Sequence, residues 1–326
     1  MSEQRVYRVY EPGDESSLKL EREPRAEPGF GQVRVRHRAI GLNYIDIYHR
    51  SGLYPLELPT GIGLEAAGVV EAIGPDVKGV CEGDRVVYCS GPPGAYADTH
   101  VVSAERLLPI PETLSDEVAA ASLLKGLTAA YLLHKTHPVK AGETLLWHAA
   151  AGGVGLLACQ WAKHLGARVI GTAGSEAKAN LARERGCDEV ILYREENVVE
   201  RLKALTEGKG VPVVYDSVGK DTFETSLDCL APLGLMVSFG NASGAVPDFS
   251  PLLLAQKGSL FFTRPTLGHY SASRESLEAL AGLWFDAVTS GAVKVDIHQR
   301  YSLEEVPQAH RDLATRQTTG ASVIIP

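Results

Sequence analysis

The chain has 326 residues, 44% hydrophobic and 22% charged, which is enough for two soluble domains of ordinary size. Its net charge of −8 argues against broad nucleic-acid binding, because a phosphate backbone would be repelled. A basic, signal-like start and an apolar run of about 20 residues are both absent, so we expect a cytoplasmic protein without a membrane partner.

The first 134 residues carry mainly strand and turn signals. Gln32–Ile40 alternates polar and apolar side chains, as a strand with one solvated face does. Asn43–Arg50 is a predicted short helix, and a helical passage runs from Ser115 to His134. Further strands are predicted at Glu65–Ile73, Arg85–Tyr88 and Ala95–Val102. Short strands separated by turns predict a compact, partly open β-barrel.

From Glu143 the pattern changes to alternating strands and helices. The predicted strands are Glu143–His148, Arg168–Thr172, Glu189–Tyr193, Val211–Ser217, Leu235–Phe239 and Ser259–Thr263. The predicted helices are Val154–Leu165, Glu176–Arg185, Asn197–Thr206, Asp221–Leu230 and Ser250–Lys257. Six strands joined by crossovers predict an α/β fold with a doubly wound parallel sheet.

After about Pro265 this alternation stops. A helix (Arg274–Ser290), a strand (Val293–Tyr301), a helix (Leu303–Thr315) and a last strand (Ala321–Ile325) are expected to pack back on the first domain. The predicted boundaries are therefore residues 1–126 for the first domain, 127–265 for the second, and 266–326 for the return to the first.

A glycine-rich turn lies between the first strand and first helix of the second domain. The stretch GETLLWHAAAGGVGLLACQWAK (142–163) runs strand, turn, helix, which is the setting of a dinucleotide fingerprint. Ala150 replaces its first glycine. Gly152 and Gly153 let backbone amides approach a pyrophosphate, the helix from about Val154 offers unpaired N–H groups, and Gly155 permits close packing.

The end of the next strand indicates which nicotinamide nucleotide is bound. NAD-selective sites usually place an acidic residue there to hold the ribose hydroxyls. Here the stretch from Thr172 to Ser175 contains no acid, and Lys178 follows where a cation could meet a 2′-phosphate. The sequence favours NADPH over NADH, although Lys178 could instead be a solvated helix lysine.

Several stretches carry a resemblance over essentially the whole chain: residues 142–163, AIGLNYIDIYHRSGLYP (39–55), LLKGLTA (123–129), VVYDSVG (213–219), LMVSFGNASGA (235–245) and FFTRP (261–265). In these the chain resembles the zinc-independent medium-chain dehydrogenases/reductases of the NADPH:quinone oxidoreductase (ζ-crystallin-like) branch. The resemblance implies a GroES-like β-barrel as the catalytic domain, a Rossmann domain for NADPH, and a quinone substrate.

The zinc-dependent relatives bind their metal in sequences similar to C-x-x-D and G-H-E, with a third ligand further on. This chain has Asn43 to Asp46, then Gly63-Leu64-Glu65, and Lys125 at the third position. Asn, Leu and Lys supply no tetrahedral zinc set, so we expect no metal. Without a Lewis acid an ordinary ketone is a poor acceptor, whereas a quinone ring spreads the charge left by hydride addition.

The resemblance also implies which residues form the site. Asn43, Tyr48, Tyr54 and Arg264 would line the nicotinamide end and the substrate cleft, with Asn43 and Tyr48 also contacting the cofactor. The other predicted cofactor-binding residues are Thr128, Gly152, Gly153, Val154, Thr172, Ser175, Lys178, Tyr193, Ser217, Phe239, Gly240 and Asn241. Ser175, Lys178 and Tyr193 would surround the 2′-phosphate, and the last four would lie at the carboxyl edge of the sheet.

Alternatives remain open at three residues and for the reaction itself. Arg264 could form a salt link, and Asp46 with Glu65 could be a catalytic carboxylate pair or could only hold the local structure. A reductase of α,β-unsaturated carbonyls would also need no metal. A low-turnover NADPH-binding protein with a structural or RNA-associated role is a third possibility, against which the net charge counts.

Two expectations concern packing and assembly. The apolar segment Gly258–Arg264 is expected at a sheet edge, where strand pairing with a second copy would give a homodimer. His148 follows an apolar strand and is expected to be a core histidine with its hydrogen bonds satisfied. The cysteines at 81, 89, 159, 187 and 229 form no C-x-x-C pair, so we expect buried or half-buried thiols in a reducing cytoplasm.

Overall fold

The computed structural model describes residues 2–326, which form sixteen strands and ten α-helices. The strands are β1 Glu3–Val9, β2 Leu18–Pro24, β3 Gln32–Gly41, β4 Thr60–Gly61, β5 Ala66–Ile73, β6 Arg85–Tyr88, β7 Thr99–Ser103, β8 Leu108–Pro109, β9 Thr144–Trp147, β10 Arg168–Ala173, β11 Glu189–Leu192, β12 Val211–Asp216, β13 Leu230–Ser238, β14 Phe261–Thr263, β15 Ile297–Ser302 and β16 Ala321–Ile325.

The α-helices are α1 Tyr44–Arg50, α2 Asp116–Tyr131, α3 Gly153–His164, α4 Glu176–Glu184, α5 Val198–Leu205, α6 Phe223–Asp228, α7 Leu252–Gln256, α8 Leu267–Tyr270, α9 Arg274–Thr289 and α10 Val306–Ala314. One turn of π-helix, Leu132–Thr136, continues α2. Within residues 2–326 we find no helix with the length and apolar character needed to cross a membrane.

The chain divides into two compact units. Unit 1 contains the chain up to Lys125, Ser271–Thr289 and Val295–Pro326, and unit 2 contains Gly126–Tyr270 and Ser290–Lys294. Each segment of unit 1 that lies late in the sequence joins elements formed early in it, which is a fold that local signals alone do not reveal. β16, for example, pairs antiparallel with β3.

Unit 1 is built from two sheets. One has the order β2-β1-β4, and the other has the order β15-β16-β3-β5-β6-β8, with β7 also paired to β3. The alternation predicted for Gln32–Ile40 is confirmed: Val33 and Val35 are fully buried, whereas Arg36 and Arg38 face solvent. The core of this unit combines these valines with Tyr96 and with residues of α10 such as Val306.

Unit 2 is a single parallel sheet with the strand order β11-β10-β9-β12-β13-β14. The order reverses between β9 and β12, which is the doubly wound arrangement. This sheet confirms the predicted α/β fold with a doubly wound, six-stranded parallel sheet. β14 is the last strand of the sheet at one edge.

Several predicted elements differ from the structure at their ends; the strand predicted as Leu235–Phe239, for example, is observed as Leu230–Ser238. The predicted strand Ala95–Val102 begins only at Thr99, because the amide of Tyr96 donates to Ile62 O outside any ladder. The predicted helix Asp221–Leu230 shortens to α6, since Leu230 already belongs to β13. The strand predicted from Val293 starts at Ile297.

Candidate functional site

The glycine turn after β9 leaves the first turn of α3 open. α3 starts at Gly153, one residue before the predicted start, and its N-cap Gly152 provides no side-chain capping hydrogen bond. A Cβ on Gly152 would stand 3.1 Å from Ala149 O, and one on Gly155 would stand 2.5 Å from the same oxygen. The turn therefore needs glycine at 155, and the unpaired amides at the start of α3 can bind an anion.

Buried polar groups form hydrogen bonds at the start of this turn. Thr172 Oγ1 lies 3.1 Å from His148 Nδ1 and accepts a hydrogen bond from the Ala149 amide at 3.3 Å. Burial lowers the pKa of His148, so its ring is neutral. His148 is therefore buried as expected, but only one ring nitrogen is satisfied: Nε2, like Trp147 Nε1, has no hydrogen-bond partner among the described residues.

A second group of predicted residues meets at the ends of β10 and β11. Ser175 caps α4 by accepting from the amide of Lys178, which is half-buried. The Tyr193 hydroxyl would be 2.5 Å from a Cβ on Gly174, so the ring lies directly over the glycine. The first carboxylate after β10 belongs to Glu176, and it forms an ion pair with Arg183 at 2.8 Å. Glu176 is thus already paired with a cation.

The carboxyl ends of β12 and β13 form the third group. Asp216 is buried and accepts hydrogen bonds from two amides and two hydroxyls of the following turn, which fixes Ser217. A Cβ on Gly240 would lie 2.4 Å from Ser217 O. The Phe239 ring lies 5.5 Å from that of Trp147, and Arg264 donates to Ser238 O at 2.8 Å.

These features fit a dinucleotide. The uncapped start of α3, the close backbone approach at Gly155 and Gly240, and the cationic end of β10 lie along the carboxyl edge of one parallel sheet. Ligands of doubly wound folds bind at that edge, near the reversal of strand order. Of the other predicted residues in unit 2, Thr128 is largely buried in α2, and Asn241 O accepts from the Gly244 amide.

In unit 1, α1 and the loop after it bring tyrosines together. The rings of Tyr48 and Tyr54 are 5.1 Å apart at 62°, and the Tyr44 ring lies 6.1 Å from that of Tyr48. The Tyr54 amide donates to Tyr48 O at 3.0 Å, which holds the loop against the helix. Tyr48 is 8% exposed and Tyr54 is half-buried. The pair forms an apolar wall whose hydroxyl tips are polar.

The residue before this helix is held by a buried ion pair. Asn43 Nδ2 donates to Glu65 Oε2 at 2.7 Å, and the Leu124 amide donates to Glu65 Oε1 at 2.6 Å. Lys125 Nζ lies 3.8 Å from the Glu65 carboxylate and donates to Leu42 O at 3.1 Å. Burial raises the pKa of Glu65, which Lys125 opposes, and burial lowers the pKa of Lys125.

Asp46 has partners that sequence analysis missed. Its Oδ2 accepts from the Asn43 amide at 2.9 Å and from the Tyr96 hydroxyl at 2.7 Å, and Tyr96 in turn contacts His310. Burial raises the pKa of Asp46 to about 7. Nothing local could have indicated these contacts, because Tyr96 is 50 residues and His310 is 264 residues from Asp46.

Within residues 2–326, no three His, Cys, Asp or Glu side chains cluster so that they could hold a metal ion. The side chains of Asn43 and Lys125 are instead hydrogen-bonded to Glu65 and to the backbone, as described above. The fold and these groups together define a two-domain protein of the nucleotide-dependent oxidoreductase class.

Comparisons with known proteins agree with this class. Residues 29–112 match the alcohol dehydrogenase GroES-like domain, and residues 153–281 match the zinc-binding dehydrogenase family. A quinone oxidoreductase of Pseudomonas aeruginosa is 56% identical over 92% of this chain and 93% of that protein.

A crystal structure of Escherichia coli quinone oxidoreductase complexed with NADPH is 50% identical, with a TM-score of 0.97 over 99% of this chain and 100% of that one. A 2-haloacrylate reductase of a Burkholderia species is 44% identical over 98% of each chain. The chain belongs to the quinone oxidoreductase family of the medium-chain dehydrogenases/reductases.

Proposed function

We propose that this protein is an NADPH:quinone oxidoreductase that works without a metal ion. The observation that carries the proposal is the 56% identity to a quinone oxidoreductase over 92% of the chain. The glycine turn supports the cofactor assignment, because it leaves the start of α3 open to a pyrophosphate. The Asn43–Glu65 hydrogen bond and the Lys125–Glu65 ion pair support the absence of a metal, since these side chains are already engaged.

When bound, NADPH supplies the hydride for the reduction. We propose that Gly153 and Val154 bind the pyrophosphate with backbone amides and that Gly152, whose own amide donates to Ala149 O at 2.9 Å, lies against it. Ser175, Lys178 and Tyr193 would bind the 2′-phosphate. The remaining cofactor-binding residues in the proposal are Thr128, Thr172, Ser217, Phe239, Gly240 and Asn241. Their support is the fit of the carboxyl edge of the sheet to a dinucleotide.

For the acceptor we propose Asn43, Tyr48, Tyr54 and Arg264, with Asn43 and Tyr48 also contacting the cofactor. The Tyr48–Tyr54 pair offers flat apolar surface to a quinone ring and hydroxyl tips to its oxygens. The hydrogen bond from Asn43 Nδ2 to Glu65 fixes the orientation of the Asn43 side chain.

We further propose the domain roles and the assembly. Residues 1–126 and 266–326 would form the catalytic domain and residues 127–265 the NADPH-binding domain. Two copies would pair through the segment Gly258–Arg264, which includes the edge strand β14. Phe261 on that strand is 60% exposed, and Leu233 and Leu252 in the same unit are 67% and 63% exposed. Five free cysteines, of which Cys81 is exposed and the other four are buried, support a location in the reducing cytoplasm.

Steady-state oxidation of NADPH with 1,4-benzoquinone, an enone and an aldehyde tests the function. We expect turnover with the quinone that survives prolonged chelation, and little with the aldehyde. Tyr48→Ala and Tyr54→Ala should lower quinone turnover more than NADPH affinity, while the exposed Tyr10→Ala serves as the matched control. Aldehyde turnover that depends on bound zinc would refute the proposal, and full quinone turnover in both tyrosine variants would refute the aromatic wall.

A reductase of α,β-unsaturated carbonyl compounds is the second candidate. The 2-haloacrylate reductase at 44% identity favours it, although less than the quinone oxidoreductases do. Both acceptors are conjugated and tolerate the same wall. The enone arm of the same assay decides: a kcat/KM for the enone above that for the quinone would reverse the assignment.

A further inference from the structure

Helix α1 is held near both ends by a chain of three buried hydrogen bonds, which the helix itself closes into a ring. Asp46 near its start accepts from the Tyr96 hydroxyl at 2.7 Å, Tyr96 lies 3.1 Å from His310 Nε2, and His310 Nδ1 lies 3.3 Å from Arg50 at the end of the helix. Asp46, Tyr96 and His310 are fully buried, and Arg50 is 6% exposed. Since Asp46 and Arg50 are four residues apart, both project from the same face of α1.

The chemistry of Arg50 fixes the direction of every bond in this ring. A guanidinium only donates, so His310 Nδ1 accepts. Burial and the nearby Arg50 charge lower the pKa of His310 to about 3, so the ring is neutral and its proton lies on Nε2. His310 therefore donates to the Tyr96 oxygen, and Tyr96 donates to Asp46.

The same assignment excludes a proton relay. A relay would have to replace the proton that His310 gives up, and its only source in the ring is a guanidinium, which does not deprotonate in proteins. The ring is therefore a fixed set of donors directed at one carboxylate. Its effect is on the position and charge of Asp46, and not on proton transport.

We propose that Tyr96 and His310 are positioning residues of the reductase: they hold Asp46 and Arg50, and through them they fix helix α1. This helix follows Asn43 and carries Tyr48, so the inference rests on the proposed function of those two residues. Tyr96 acts on Asn43 through Asp46 Oδ2, which accepts from both the Tyr96 hydroxyl and the Asn43 amide.

The local fold is built to admit the Tyr96 ring. Gly63 has φ +86°, and a Cβ there would be 2.4 Å from the ring. The ring also meets His310 edge to face, with centroids 5.5 Å apart at 88°. A glycine at 63 is thus required both for its backbone conformation and for the space that Tyr96 occupies.

The pKa of Asp46 depends on the hydrogen bonds that link it to Tyr96 and His310. Burial raises the pKa of Asp46 to about 7; the Tyr96 hydroxyl, the Asn43 amide and Lys125 lower it, and Glu65 raises it. Asp46 Oδ1 has no hydrogen-bond partner among the described residues, so Oδ2 carries the stabilising bonds. Loss of the Tyr96 hydroxyl must therefore move the Asp46 midpoint to higher pH.

Tyr96→Phe tests the proposal, with Tyr88→Phe as its matched control. Tyr88 is equally buried and its hydroxyl also bonds histidines, His37 at 2.9 Å and His100 at 3.1 Å, but it does not contact α1. The first measurement is the protonation midpoint of Asp46 in the protein alone, from its infrared carboxyl band identified with Asp46→Asn. The second is kcat with 1,4-benzoquinone and KM for NADPH.

We expect Tyr96→Phe to shift the Asp46 midpoint to higher pH and to lower kcat by about ten- to a hundredfold through misplacement of α1. KM for NADPH should rise by a smaller factor, because only Asn43 and Tyr48 among the proposed cofactor contacts depend on α1. Tyr88→Phe should change none of these. As a second pair, His310→Gln, whose amide can still donate to Tyr96 and accept from Arg50, should stay close to wild type, whereas His310→Leu should behave as Tyr96→Phe. If Tyr96→Phe does not fold, the comparison of His310→Gln with His310→Leu tests the proposal instead.

If Tyr96→Phe and Tyr88→Phe match in both midpoint and kcat, the ring is only structural and the proposal is overturned. Equal activity of His310→Gln and His310→Leu would overturn it as well. A wild-type protein without quinone turnover would instead defeat the proposed function. The infrared midpoints would still test the ring in that case, so the two failures are distinguishable.

Discussion

The side-chain amide of Asn43 and the carboxylate of Glu65 are joined by a 2.7 Å hydrogen bond inside unit 1. Glu65 is fully buried, and a Cβ on Gly41 would lie 2.2 Å from its Oε2, so glycine at 41 leaves the space that the carboxylate fills. The negative charge is tolerated because Lys125 lies 3.8 Å away and the Leu124 amide donates to the other oxygen. The orientation of Asn43 therefore depends on an ion pair.

Replacing one member of the Glu65–Lys125 ion pair should lower the free energy of unfolding more than replacing both members does. Glu65→Gln leaves the charge of Lys125 buried without its counter-ion. Lys125→Met leaves the charge of Glu65 buried in the same way. We expect each variant to lower the free energy of unfolding by about 3–5 kcal/mol, and the double variant to lose clearly less than the sum. Urea unfolding of the four proteins measures this. Strict additivity would mean that the two charges do not interact.

Among the glycines of the fingerprint, we expect Gly155 to tolerate substitution least. Gly155→Ala places a Cβ 2.5 Å from Ala149 O, so we expect a loss of about 1–3 kcal/mol in unfolding free energy and weaker NADPH binding. Gly282→Ala in α9 is the control: no heavy atom lies within 4 Å of its Cβ, and the change should stabilise by about 0.5–1 kcal/mol. Equal stability and NADPH affinity of the two variants would contradict the close approach.

Lys178 should decide between the two nicotinamide nucleotides. A cation that binds the 2′-phosphate contributes only to NADPH, so Lys178→Ala should weaken NADPH by about 10- to 100-fold and leave NADH unchanged. Lys203→Ala, an exposed helix lysine of the same unit, should affect neither. Fluorescence titration with both nucleotides measures the preference. An unchanged preference in Lys178→Ala would assign the 2′-phosphate to other residues.

Assembly through β14 predicts a surface whose disruption gives monomers. Phe261→Asp places a charge on the exposed face of the edge strand, where a second copy would pair. Phe30→Asp is the control, since Phe30 is 76% exposed in unit 1. Sedimentation should give a dimer for wild type and Phe30→Asp, and a monomer for Phe261→Asp. A wild-type monomer at micromolar concentration would rule the interface out.

The sequence predicted the Rossmann unit well because its signals are local. Strand periodicity and the glycine turn are properties of a few consecutive residues, so the predicted Arg168–Thr172 is observed as Arg168–Ala173. The prediction that a strand begins at Ala95 was wrong for the same reason, because it used only the local pattern of side chains. That segment alternates as a strand does, yet the Tyr96 amide donates to Ile62 O and the Ala97 amide to Ala95 O, which leaves no regular ladder before Thr99.

The buried polar groups could not be predicted in the same way. Asp46 and Glu65 were recognisable as a carboxylate pair, but Tyr96 and His310 are as common in cores as in sites, and only the folded chain brings them together. Asn43 was predicted through family resemblance, whereas the reason for its orientation is Glu65, a contact across 22 residues.

Buried histidines should make the protein sensitive to mild acid. Burial lowers the pKa of His37 to about 4, and burial lowers those of His100 and His310 to about 3, whereas an unfolded histidine titrates near pH 6.5. Below pH 6.5 the unfolded chain therefore takes up three protons that the folded chain does not. Asp46 acts in the opposite direction, because its folded pKa is about 7 and it binds a proton first in the folded state.

For these four groups the net difference is about two protons, three on the histidines less one on Asp46. Their contribution to the free energy of unfolding should therefore fall as the pH drops from about 6.5 to about 4.5, by up to about 3 kcal/mol per pH unit. Urea unfolding at half-unit steps of pH measures the slope. His37→Gln removes one of the three histidines and should reduce the slope by about 1.4 kcal/mol per pH unit, even if it lowers stability at neutral pH. A stability that is flat between pH 6.5 and 4.5, or a slope unchanged in His37→Gln, would mean that these rings are protonated in the folded protein. The neutral form of His310, on which the direction of the Tyr96 hydrogen bond depends, would then be lost as well.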